Sequence, residues 1–124
     1  HLVSKDEDIR KYIVFSITSY SASAYKDDFI NFVEEASILK MPILLKRYKT
    51  KEYPLEELAQ LDINYIKIDK TLTQNINNDL IKKHVLKNII IFADIHEVKL
   101  IVENVESDKD FAFLSRQDLY AVNR

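Results

Sequence analysis

Apolar residues along this chain fall into short runs separated by polar joints. Tyr12-Ile13-Val14-Phe15-Ser16-Ile17 is β-branched and aromatic, with the length of a buried strand. After a polar stretch from Thr18 to Ala24, Phe29, Phe32, Val33, Ala36 and Leu39 recur at helical spacing. Asp27 and Asp28 sit in the first turn of that helix, where its dipole favours anions. Pro42 closes the helical region and leads into a short strand, Ile43-Leu44-Leu45. Pro54 suits the first turn of a helix through Leu55, Leu58 and Leu61, and Asn64 to Asp69 reads as the next strand. Asn77 or Asn78 is expected to cap a long helix whose apolar side holds Ile81, Val85, Ile89 and Phe92. Val98 to Val102 is again a strand, and Ser107 with Asp110 has the spacing of a capping box ahead of Phe111 and Leu114. Leu119 to Val122 forms the last apolar run.

Strands therefore alternate with helices, which predicts an α/β fold with a parallel sheet and right-handed crossovers. Residues 1–124 read as one domain, or as the C-terminal fragment of one. In such folds the chemistry lies beyond the carboxyl ends of the strands. The positions this singles out are Ser16 to Ser19, Lys46-Arg47, Lys67 to Asp69, Glu103 and Asn123.

Composition changes the picture mainly by exclusion. The chain contains no glycine, where average usage would supply roughly nine. That removes glycine-rich phosphate loops, the dinucleotide fingerprint and the nucleophile elbow. Without cysteine there are no disulfides, thiolate metal sites or cysteine nucleophiles. A net charge of −2 offers no global attraction to nucleic acid or an anionic membrane. The apolar run Ile89 to Ala93 is far too short to span a bilayer, so a soluble cytoplasmic domain is expected. His1 in place of Met is what a tag remnant or an excised fragment would show.

Two segments carry a family resemblance. Leu58 to Asp69, ending Lys67-Ile68-Asp69, resembles the stretch of EAL domains that ends in their Lys-Ile-Asp motif. Val98 to Ser107 is similar to that family's Ala-Glu-Gly-Val-Glu-Thr segment. EAL domains are bacterial phosphodiesterases of cyclic di-GMP built as a (β/α)8 barrel. The register extends from about Ile13 to Arg124 and covers only the second half of such a domain, since a full barrel runs to about 250 residues.

The resemblance implies a partial (β/α)8 barrel; the alternative is an open, flavodoxin-like parallel sheet. It also implies a much altered site. The family's metal-binding glutamate falls on Ser16 and a loop-supporting glutamate on Ser19. Its paired aspartates fall on Lys46 and Arg47, and two loop glycines on Lys49 and Lys51. Cations in place of two metal-binding anions reverse the local charge, so neither metal nor cofactor is expected. Lys67, Glu103 and Asp69 match the family, and Asn123 stands where a glutamine is usual. Lys67 and Glu103 are expected to form a partly buried ion pair, costly to break if truly buried at about 3–5 kcal/mol.

Simpler readings accompany these residues. Lys46, Arg47, Lys49 and Lys51 form a local basic cluster suited to phosphate, yet Glu52, Glu56 and Glu57 follow and suggest a solvated loop. His84 and His96 lack a third ligand at zinc spacing, and His96 suits a helix C-terminus. Ser16, Ser19 and Ser21 have no histidine at a strand end to activate them. The function expected from these features is a catalytically inactive EAL-like module that regulates or binds protein. A non-hydrolysing cyclic di-GMP receptor, using Lys46, Arg47, Lys67 and Glu103, is the alternative. Exposed strand edges and an apolar flank favour a protein partner or a homodimer.

Overall fold

Ladders of apolar side chains align the middle of the molecule, which a computed structural model describes over residues 14–124. The elements run β1 (Phe15–Thr18), α1 (Ser19–Ala24), α2 (Lys26–Ile38), β2 (Ile43–Tyr48), α3 (Leu55–Leu58) and β3 (Tyr65–Ile68). They continue with α4 (Lys70–Thr73), a 3-10 turn (Ile76–Asn78), α5 (Leu80–His96), β4 (Lys99–Val102), α6 (Asp108–Ser115) and β5 (Ala121–Val122). Tyr12 and Ile13, expected to begin the first strand, lie outside the described residues.

All neighbouring strands pair in parallel, in the spatial order β1-β2-β3-β4-β5. A doubly wound sheet must reverse its direction at a switch point, whereas the five described strands follow one another without a reversal. The flavodoxin-like alternative therefore does not hold. Successive right-handed crossovers in one direction place all helices on one face, as in the wall of a barrel.

Register explains which side chains form the core. Ile17, Leu45, Ile66 and Leu100 lie side by side across the sheet, and the last three are essentially inaccessible beneath the helices. Helix α5 contributes Leu86, Ile89, Phe92 and Ala93 to the same core. On the opposite face, Leu44, Tyr65 and Ile101 are only partly buried. There Lys99 Nζ stands 5.7 Å from the Tyr65 ring centroid and 5.1 Å from that of Tyr120. Each such exposed contact contributes about 0.5–1 kcal/mol and shields the lower part of this face.

Several boundaries differ from expectation for identifiable reasons. Thr18 to Ala24 lacks an apolar period, yet the Thr18 hydroxyl accepts the Ser21 N–H at 3.1 Å and starts α1. Helix α5 is capped by Asp79, which accepts the Lys82 N–H at 3.0 Å, rather than by Asn77 or Asn78. Those asparagines belong to the 3-10 turn, held by Asp110. One Asp110 oxygen accepts the Asn75 N–H at 3.0 Å and the other accepts the Asn77 N–H at 2.9 Å. The later start of α5 leaves Ile81 exposed and Val85 half-buried, against the expected apolar side. Ser107 caps α6 as expected, but the buried Asp110 side chain reaches across to the turn instead of completing the box.

Candidate site at the carboxyl ends of the strands

Strand β2 extends past the expected Leu45 and carries Lys46 and Arg47 to the rim of the sheet. Opposite β3, register passes from Leu45↔Ile66 to Tyr48↔Ile68, so Lys46 and Arg47 together face one residue, Lys67. This bulge holds Arg47 at φ 52°. A left-handed conformation costs a residue with a Cβ roughly 1–2 kcal/mol, so surrounding contacts must hold it there.

Ser19, fully buried at the start of α1, supplies much of that restraint. Its hydroxyl donates to Glu52 Oε1 at 2.5 Å, lies 3.1 Å from the Arg47 carbonyl oxygen and accepts the Lys49 N–H at 3.2 Å. One side chain thus ties the end of β1 to the loop after β2. Below that loop the Tyr48 hydroxyl donates to the Tyr53 carbonyl at 2.7 Å. Burial, with a smaller contribution from Glu56, pushes the Tyr48 phenol well above its ordinary pKa.

At the end of β3, Asp69 caps α4 by accepting the Thr71 N–H at 3.0 Å and the Thr71 hydroxyl at 2.5 Å. Burial pushes its carboxyl up. The two Thr71 bonds, together with Lys49 and Arg47, outweigh burial and hold the pKa below the usual carboxylate value. Lys67 Nζ meets Glu103 Oε1 at 3.2 Å between β3 and β4, the pair expected from the sequence. Their side chains are 34% and 42% exposed, so the pair is not the costly buried one. Solvent reduces such pairs to about 0–1 kcal/mol.

These elements enclose a groove of about 440 Å³ lined by Lys46, Arg47, Lys49, Lys67, Asp69, Lys70, Glu103 and Asn104, among others. A second cavity of about 300 Å³ adjoins it through Arg47, Lys49 and Asp69, and reaches Thr18, Tyr20 and Glu52. Of the expected site residues, Lys46, Arg47, Lys67 and Glu103 meet in the groove. Ser16 stands exposed within β1 opposite Leu44, and Asn123 is exposed beyond β5 with its N–H donated to the Val102 carbonyl. Neither lines the groove.

Lys70 and Asn104 join the site without having been singled out from the sequence. Their only sequence signal was position immediately after the two recognised segments' strand ends. Of the acidic residues that follow the basic loop, Glu52 accepts the Ser19 hydroxyl and Glu57 pairs with Lys26 on α2.

The donor set does not suit a hard divalent ion. Cations crowd the groove, and both of its carboxylates already have partners in Lys67 and Thr71. Among the described residues no three His, Cys, Asp or Glu side chains group as metal ligands. Nor is any described helix long and apolar enough to cross a membrane.

Comparison with known proteins gives consistent matches. The sequence model of the EAL domain matches residues 1–122. Cyclic di-GMP phosphodiesterase PdeR of Escherichia coli (strain K12) is 26% identical over 90 residues, covering 73% of this chain and 14% of that protein. The PaMucR phosphodiesterase in complex with c-di-GMP superposes with a TM-score of 0.76 at 20% identity, over 89% of this chain and 44% of that one. The FimX EAL domain from Pseudomonas aeruginosa bound to c-di-GMP gives 0.75 at 23% identity, over 88% and 45%. The chain thus spans less than half the length of each, and the structural matches establish the barrel-type fold.

Proposed function

The chain belongs to the EAL domain family, and from that membership we propose that it is a regulatory module of cyclic di-GMP signalling that does not hydrolyse the dinucleotide. The observation that carries this reading is the pair Lys46 and Arg47 at the tip of β2, where the family resemblance places paired aspartates. A phosphodiester can be cleaved with help from dications that make a hydroxide and stabilise developing charge. An ammonium and a guanidinium repel such ions. Lys67 and Glu103 then serve as a strand-end ion pair rather than as catalytic groups.

A phosphodiesterase assay with cyclic di-GMP and magnesium or manganese tests the reading. The expected result is no turnover above that of a Lys67→Ala variant; clear metal-dependent hydrolysis by the unaltered chain overturns it.

Such a module acts through a protein partner or a second copy. The half-buried face bearing Leu44, Tyr65 and Ile101 supports this, as do the outer strands β1 and β5, each paired on one side among the described residues. Light scattering showing only monomer at high concentration excludes self-association. The FimX domain bound to c-di-GMP favours a second reading, a receptor that binds without cleaving. Calorimetry with the dinucleotide decides it, since no heat at high micromolar concentration removes that reading.

A further inference from the structure

We propose that the strand-end groove binds the terminal phosphate of a nucleotide-sized small molecule directly, without a metal ion. The proposal rests on the non-hydrolysing reading above, because it assigns no dication to the site.

The argument begins with uncompensated charge. Lys67 is paired with Glu103, and Asp69, capped by Thr71, remains an anion beside Lys49 and Arg47, so five cations in the groove face two carboxylates. Lys46, Arg47, Lys49 and Lys70 line the same groove and form no ion pair among the described residues. This concentration of positive charge occurs in a chain whose net charge is −2. The cations are also positioned. The bulge presents Lys46 and Arg47 side by side, and the Ser19 hydroxyl restrains Lys49 by accepting its backbone N–H.

A terminal phosphate brings up to two negative charges and three acceptor oxygens, which suit a guanidinium fork beside ammonium groups. A phosphodiester brings one charge and fewer free oxygens. With cations alone supplying the attraction, the monoester is the better ligand. The groove and its adjoining cavity, about 440 and 300 Å³, match small-molecule sites of roughly 300–1,000 Å³.

Equilibrium binding to the whole chain in EDTA provides the test, with guanosine 5′-monophosphate, guanosine and cyclic di-GMP as probes. The monophosphate is expected to bind at least about tenfold more tightly than either other probe. Lys46→Glu and Lys49→Glu are expected to weaken it by a similar factor. Glu103→Gln, which removes an anion and frees Lys67, is expected to tighten it. Lys87→Glu, an exposed charge change on α5, leaves it unchanged. No binding, equal binding of guanosine or the diester, or equal loss in Lys87→Glu overturns the proposal. Metal-dependent hydrolysis would instead overturn the functional reading and leave a positive result in EDTA standing, so the two failures are separable.

Discussion

The Ser19 hydroxyl and the Glu52 carboxylate meet at 2.5 Å across 33 positions of the chain. Through this contact a fully buried side chain on α1 holds a loop that otherwise projects beyond the sheet. Glu52 accepts that hydroxyl while its charge stays on the cavity that Arg47 and Lys49 also line.

Ser19→Ala is therefore expected to destabilise the protein by about 1–3 kcal/mol, because it removes a buried partner from both Glu52 and the Lys49 N–H. A double-mutant cycle with Glu52→Ala in urea should give a coupling above about 0.5 kcal/mol. Strict additivity would show that the two groups do not cooperate.

Asp110 is a buried carboxylate whose two oxygens accept separate backbone N–H groups. Asp110→Ala strands both donors and should cost about 2–4 kcal/mol, while Asp110→Asn keeps one acceptor and should cost less. Amide exchange should accelerate at both Asn75 and Asn77 in Asp110→Ala, and at one of the two in Asp110→Asn. Unchanged exchange at these two amides would contradict the assignment.

The pair Lys67–Glu103 should behave as a solvent-exposed one. Lys67→Ala and Glu103→Gln are each expected to cost no more than about 1 kcal/mol, and 1 M salt should erase much of that. A loss of several kcal/mol in chemical denaturation would mean that the pair is effectively desolvated.

Titration should alter stability at both ends of the pH scale. The folded pKa of Asp69 is lowered, so its contribution is present above the unfolded value near about 3.9 and disappears as pH falls through the lower folded value. Asp69→Asn should flatten that acid limb. The folded pKa of Tyr48 is raised, so its contribution is complete below about pH 10 and is lost as pH rises beyond it. Tyr48→Phe should flatten the alkaline limb, at a cost of about 1 kcal/mol near neutrality from the lost bond to the Tyr53 carbonyl. Denaturation midpoints measured across pH check both slopes.

Periodicity made the alternation of strands and helices legible, because Leu45, Ile66 and Leu100 each sit in short apolar runs of the kind parallel strands carry. Strand order was open to two arrangements, since pairing between runs leaves no mark in local composition. Helix α1 was illegible for another reason: its start depends on one hydroxyl cap and its packing on two small residues, Ser19 and Ala22. In the candidate site, Lys46, Arg47, Lys67 and Glu103 were legible because position at a strand end selected them. The groove could not be read in the same way. It depends on the β2 bulge and on Ser19 reaching Glu52, contacts between segments far apart in the chain. Ser16 and Asn123 were chosen by the same strand-end rule, yet the sheet places both outside the cavity.

Among the described residues each strand lies beside the one synthesised just before it, and the span from Tyr65 to Lys99 is the longest stretch of sequence that a ladder bridges. Closing such modest loops is entropically cheap and favours rapid pairing. These five strands are therefore suited to joining the sheet one β/α unit at a time, in the order in which they are synthesised.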